Sequence, residues 1–394
     1  MAAIPIKAVN RLVLRKQHLT PDTGDASIVQ IASDVCGLHG TIPTTPYLSL
    51  LARSRDFTRE QLDDELYVKK SLVKVRCMRG TMYVIPIDVF PVMYAALSAS
   101  TIRSCTSHCR YRGVNENDYE RASKQVMTIL DSNGSGMTFT EIKNLIGIQL
   151  NLSSVLTLMC DSGLIIRGPP QGGWASNKHT YHLLSCYLPK INLSGMSEDD
   201  AVARLIHAYL HALGPAGETD IAWWIGLGKA KVRTGLRKID NAVTYVEVAG
   251  LKGSFAALKE DEQLLKGDYT VKDYTISLLP ALDGYVMGYK ERARYLDAKH
   301  YNYVFDRSGN AANTILRNGR IIGVWDTDMT QGPRVKVYLF RQEADAITIK
   351  KIRAEAVRTG KFIFRKNPAV KECDSMIPLS RRPAGSVMTP LKDS

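Results

Sequence analysis

The sequence predicts a mixed α/β (α+β) chain: helix-rich units, each closed by a two-stranded hairpin, stand in tandem ahead of a small β-rich domain. Three observations predict this. The order helix, helix, hairpin recurs three times before residue 250. Beyond about residue 270, strand-like segments replace helical periodicity. The 394 residues, 45% hydrophobic and 23% charged, suffice for several packed cores. Such units have the order of a winged helix. The expected boundaries are 1–118, 119–192 and 193–265 for three winged-helix domains, 266–365 for a β-barrel-like C-terminal domain, and 366–394 for a flexible tail.

In the first unit, residues 8–18 have helical spacing and a basic face, and Leu19-Thr20-Pro21 ends them. Ser27 caps a helix that runs through Cys36. Gly37-Leu38-His39-Gly40-Thr41-Ile42-Pro43 then leads into a second apolar run ending at Arg53. From Arg59 to Lys70 an amphipathic helix sets Leu62, Leu66 and Val68 against outward Asp63, Asp64 and Glu65. Ser71 to Pro86 reads as two strands about Arg79-Gly80, where glycine supplies the turn. This wing and its approach carry Lys69, Lys70, Lys74, Arg76 and Arg79.

The second unit shows helices from Tyr119 to Leu130, from a capping Thr138, and from Ser153 to Cys160. Strands follow at 164–168 and 179–184, joined by a Gly/Pro-rich turn. The third has helices at 201–213, at 219–224 with Thr219 as cap, and at 229–239, the last bearing Lys229, Lys231, Arg233, Arg237 and Lys238 in a recognition-helix slot. Strands begin at Val243. Near 275–279, 314–316, 320–325 and 335–340 come the strands of the C-terminal domain, with a final helix near 345–359.

The net charge of +13 and pI of about 9.3 favour a polyanionic partner, nucleic acid first and an anionic membrane surface second. Helices place side chains in grooves and basic wings touch phosphates, so three such units strengthen the nucleic-acid reading. No apolar run is long enough to span a bilayer, and the first residues lack the pattern of a secretion signal, which fits a cytoplasmic, nucleoid-associated protein. Seven scattered cysteines suit reduced thiols. The one cluster, Cys105, His108 and Cys109, has no partner motif to complete four ligands, so no metal is expected.

Five motifs then fall in order: Gly37-Leu38 through Arg53; Met78-Arg79-Gly80-Thr81 through Pro86; Gly214-Pro215-Ala216 with Thr219-Asp220, Trp224 and Gly226-Leu227; Leu278-Leu279-Pro280-Ala281-Leu282-Asp283 with Gly288-Tyr289 and Arg292; and Asn318-Gly319-Arg320 through Trp325. In these the chain resembles the winged helix DNA-binding domain superfamily of bacterial DNA glycosylases, the AlkZ and YcaQ type. The resemblance implies tandem winged helices and a β-barrel around double-stranded DNA, with no metal or other cofactor. It further implies monofunctional excision of alkylated purines, including bulky adducts and interstrand crosslinks, without lyase activity. A monomer is expected.

The family's catalytic Gln-x-Gln or Gln-x-Asp follows a Gly-Leu pair, and His39-Gly40-Thr41 stands there in this chain. An alkylated purine already carries positive charge, so its release asks chiefly for a placed water and stabilisation of an oxocarbenium-like sugar. A neutral His39 can hold that water with Thr41 orienting it, and a protonated His39 would repel the sugar, so activity is expected to fall at acid pH. The alternative is that His39 and Thr41 cap adjoining helices. Gln30, inside a helix, reads as structural, and Asp283 as a capping group before a functional carboxylate. Trp223 and Trp224 read as one surface and one core residue. Expected phosphate contacts are Lys69, Lys74, Arg76 and Arg79 from the first wing and Lys229, Lys231 and Arg233 from the third unit. The rival reading is a winged-helix DNA-binding protein or transcription regulator without catalysis.

Overall fold

A computed structural model describes residues 3–23, 26–267, 275–340 and 345–388. Helix α1 (Ile6–Lys16) buries Ala8, Val9, Asn10, Leu12, Val13 and Leu14. The first unit then runs α2 (Ile28–Asp34), β1 (Leu38–His39), α3 (Thr45–Arg53), α4 (Arg59–Asp63), β2 (Leu72–Arg76) and β3 (Met82–Pro86). Ser27 caps α2, its hydroxyl accepting from the Gln30 amide at 3.1 Å. At the hairpin tip both Arg79 (φ 54°) and Gly80 (φ 65°) are left-handed, so the turn asks of an arginine what glycine gives freely.

The second unit repeats the order with α6 (Glu116–Asn133), β4 (Met137–Thr138), α7 (Phe139–Leu145), α8 (Leu152–Asp161), β5 (Ile165–Pro170) and β6 (His179–Leu183). It is reached through α5 (Phe90–Tyr111), a 22-residue helix that the sequence reading passed over. Thr138 and Glu141 form a reciprocal capping box at α7. After the single turn α9 (Leu184–Tyr187), the third unit has α10 (Glu198–Leu213), α11 (Glu218–Ile225), α12 (Lys229–Lys238), β7 (Val243–Val246) and β8 (Phe255–Leu258). Thr219 does not cap α11. Gly217 holds that position, and the carboxylate of Asp220 accepts from its amide at 3.3 Å.

The strand orders are β1-β3-β2 and β4-β6-β5. In the third unit Ala216 bridges Ala256 of β8, which pairs with β7. All three units therefore share one connectivity, helix–strand–helix–helix–strand–strand with the third strand in the middle, the order expected of a winged helix.

After the short helix α13 (Glu262–Lys266) come β9 (Ile276–Leu279), the turn α14 (Tyr301–Val304), β10 (Thr314–Arg317), β11 (Arg320–Asp328), β12 (Arg334–Leu339), α15 (Ala346–Phe364) and β13 (Ala369–Glu372). The sheet order β13-β12-β11-β10-β9 leaves the sheet open among the described residues, where a barrel was expected. It has no need to close, because α15 and α3 cover its apolar face. Ile352, Ala356 and Phe364 pack with Leu50, Leu278, Ile322 and Trp325 in one core. Nor is 366–388 a loose tail: β13 pairs in parallel with β12, Leu379 is buried, and Arg382 meets Asp326 at 3.3 Å.

A second core joins α1, the first hairpin, α10 and α11 to residues from Leu279 to Val324, so the first and third units and the C-terminal sheet interlock. Most of the second unit packs around a core of its own with the end of α5.

Candidate active site and DNA-facing cations

The site begins at a glycine. Gly37 takes φ +92°, and a Cβ there would lie 2.9 Å from Ile85, so only glycine carries the chain from α2 into β1. In β1, His39 stands opposite Tyr83, their rings 5.1 Å apart. Pairing continues past the strand: the Gly40 amide donates to the Met82 carbonyl at 2.7 Å, and the Thr41 hydroxyl accepts from the Met82 amide at 3.3 Å. The Thr41 amide points at His39 Nδ1 at 3.4 Å, which makes Nδ1 the acceptor and puts the proton of a neutral ring on Nε2. His39 and Thr41 are thus brought together. Neither caps a helix: Thr44 holds the N-cap of α3.

His39 is 2% exposed, whereas Thr41 is half-buried. Burial, helped by the charges of Arg79 and Lys74 and opposed by that of Asp283, pushes the His39 pKa down to about 3. The ring is therefore neutral throughout the physiological range, and the expected loss of activity by His39 protonation moves to strongly acid pH.

Asp283 is fully buried between Arg53 Nη1 and Nη2, each at 2.8 Å, with Ser49 Oγ at 2.6 Å and the Tyr285 amide at 3.0 Å. Burial alone would raise its pKa, but the guanidinium and these hydrogen bonds outweigh it and hold the carboxyl below the usual range. Every strong acceptor position is taken, so Asp283 ties α3 to the segment after β9. Gln30 is exposed on α2 and donates to Asp34 at 2.6 Å. Cys105 and Cys109 are buried on α5 while His108 is exposed, and among the described residues no group of three or more His, Cys, Asp or Glu side chains is placed to hold a metal ion.

The seven cations divide into two sets. Lys69 lies 2.7 Å from Asp64 and 2.8 Å from Glu65. Arg76 is 2.6 Å from Asp161, Lys231 meets Glu198, and Arg233 grips Glu218 at 2.8 and 3.0 Å. Lys74, Arg79 and Lys229 have no carboxylate partner among the described residues. The Arg79 guanidinium lies 4.1 Å from the ring centre of half-buried Trp223, while Trp224 is buried. The sequence reading missed Arg167 and His179, which face Lys74 from the second unit, and missed Arg53 as the partner of Asp283. Only chain topology brings those pairs together.

Three units of one connectivity, with cations on the first hairpin beside the His39 strand that lack carboxylate partners among the described residues, are the arrangement expected of a nucleic-acid-binding protein. The family is more specific: a model described as "DNA glycosylase AlkZ-like" matches residues 32–362, and the chain belongs to that family of DNA glycosylases. It is 27% identical over 330 residues to the "Interstrand DNA cross-link repair glycosylase" of Streptomyces sahachiroi, a match spanning 79% of this chain and 85% of that protein. Its fold resembles that of Streptomyces sahachiroi DNA glycosylase AlkZ, with a TM-score of 0.77 at 23% identity over 93% of this chain and 99% of the other. Among the described residues no helix is long and apolar enough to cross a membrane.

Proposed function

We propose that the protein acts as a monofunctional glycosylase on alkylated purines in double-stranded DNA, hydrolysing the N-glycosidic bond of N7-alkylguanine and N3-alkyladenine, and of bulky adducts or interstrand crosslinks, in base excision repair. The observation that carries this reading is His39-Gly40-Thr41 directly after Gly37-Leu38, beginning on the first strand of the first unit, at the position the sequence resemblance gives to the AlkZ-type signature, in a chain of that family. The description of the Streptomyces relative as a cross-link repair enzyme supports including crosslinks.

Alkylation makes the base a cationic leaving group, so the C1′–N bond breaks with little acid assistance, and water must then meet an electron-poor C1′. Thr41, the more exposed of the pair, accepts from Met82 and keeps its own proton free to donate to that water. His39 holds the Thr41 loop through Nδ1 and, being neutral, adds no charge against the cationic sugar. His39 is in this sense a positioning residue and Thr41 the group in contact. Lys74, Arg79 and Lys229 take backbone phosphates, and the protein works as a monomer.

The near-complete burial of His39 and the departure from the glutamine motif favour a second reading, a winged-helix DNA-binding protein or regulator without catalysis. Release of 7-methylguanine from alkylated duplex decides between them. The glycosylase reading expects free base and an alkali-labile but unbroken strand, with Thr41→Ala slowed. Salt-dependent binding with no release from methylated, bulky-adduct or crosslinked DNA would sink it, and a regulator would prefer one DNA sequence over others.

A further inference from the structure

We infer that the junction between the first and second units holds a phosphodiester of the DNA backbone between Lys74 and Arg167. This deepens the reading of DNA as the substrate and rests on it. Lys74 lies on β2 and Arg167 on β5, and both line a cavity of about 30 Å³ together with Arg76 and Asp161. Three cations thus meet one carboxylate. That carboxylate is engaged, since Asp161 accepts from Arg76 at 2.6 Å. Lys74 and Arg167 are each half-buried, and neither has a carboxylate of its own within ion-pair distance among the described residues. Two like charges in a partly desolvated niche disfavour each other, and the strain falls on the lysine, whose pKa burial and the charge of Arg167 push down to about 8. An anion seated between them reverses both effects.

The neighbours narrow the kind of anion. His179 faces the same two cations, and burial and their charge hold its pKa near 4, so it adds no positive charge of its own. Its Nδ1 donates to the Asn177 carbonyl at 2.9 Å, so the neutral ring leaves Nε2 as a buried acceptor without a hydrogen-bond partner, and it takes no part in holding the phosphate. On the other side, Lys74 Cε comes within 3.3 Å of where a Cβ on Gly40 would stand. A phosphate held by Lys74 therefore lies beside the strand that carries His39 and Thr41. That places the backbone of a nucleotide next to the proposed reaction centre, and it makes the second unit, otherwise packed around its own core, part of the binding surface.

The test is binding of the full chain to undamaged duplex DNA as salt is varied, followed by fluorescence anisotropy. It needs no base excision, so failure of the glycosylase reading and failure of this one are separable. Lys74→Gln and Arg167→Gln should each lower the slope of log K against log salt by about 0.9, the value for one phosphate contact. Lys74→Gln should keep or raise Tm, because removing that cation relieves repulsion in a partly desolvated niche. Lys231→Gln, whose amine already has Glu198, should change the slope less. Wild-type affinity and slope in both niche variants would overturn the proposal. So would affinity lost only in proportion to a lowered Tm. Inorganic phosphate that stabilises the wild type and not the variants, with DNA binding unchanged, would overturn the DNA assignment in favour of a small-anion site.

Discussion

The first hairpin and helix α12 both bring clustered cations to their units, and their surroundings differ. On α12, Lys231 and Arg233 point to solvent and are held by Glu198 and Glu218 of neighbouring helices. On the hairpin, Arg76 has Asp161, but Lys74 is half-buried without a carboxylate and Arg79 lies on a tryptophan face. An exposed ion pair changes stability little and already has its counter-charge. A half-buried cation without one is costly to the folded state alone and favourable once an anion arrives. Net charge counts both kinds equally, so it points to a polyanion without saying which face meets it.

The deepest contrast with α12 lies behind the hairpin, in the Arg53–Asp283 pair. Asp283→Asn leaves a guanidinium buried without its counter-charge, so the expected loss of stability is about 3–5 kcal/mol in urea unfolding. A loss as small as that of an exposed α12 pair would break the distinction drawn between the two regions. The pH dependence has a definite sign. The folded-state pKa of Asp283 is depressed, so its contribution is present above the unfolded value near 4 and disappears as pH falls through the folded one.

His39 sharpens the comparison on the functional side. His39→Ala should lower base release about 100-fold, the scale of a misplaced reacting group, because it releases the loop that carries Thr41, while His39→Gln, which restores the residue of the family signature, should retain most activity. Base release should be flat between pH 5 and 8, because the His39 pKa is about 3 and no proton is taken up in that window. For stability, a folded pKa below the unfolded value of 6.5 means that the contribution of His39 is full above pH 6.5 and declines as pH falls toward 3. A steep fall in release centred near pH 6.5 would show that the ring is solvated during the reaction and that its burial is not the working state.

What the sequence made legible was local. Ser27 and Thr138 announce helix starts that the structure keeps, Arg79-Gly80 announces a turn, and the recurrence of helices before a hairpin announces the three units. Helix α5 was equally legible and went unread: Phe90, Met93, Leu97, Thr101, Cys105 and Cys109, at three- and four-residue spacing, are buried along it together with Ala96. Other features leave no local signal. Arg53 and Asp283 lie 230 residues apart, β13 needs β12 to become a strand, and Lys74 meets Arg167 only when two units dock. The motif His39-Gly40-Thr41 was visible as a pattern, but its environment was not. Burial by Tyr83 and the core it joins makes His39 neutral, and Asp283, near it in space, is already bound to Arg53.

The smallest expected effect belongs to α12 itself. Arg233→Gln removes an exposed pair and should change stability by less than about 1 kcal/mol. Its effect on DNA binding is the informative part. If Glu218 keeps the guanidinium occupied in the complex, the salt slope should stay near that of the wild type, whereas Lys229→Gln, which removes a lysine of the same helix that has no carboxylate partner among the described residues, should lower it by about 0.9. Glu218→Gln completes the set. Freeing Arg233 should raise affinity for DNA if α12 lies against phosphates and leave it unchanged if the helix faces away. An equal loss of slope in Arg233→Gln and Lys229→Gln would mean that the pairs on α12 open on binding, and that existing ion pairs are no guide to where this protein meets DNA.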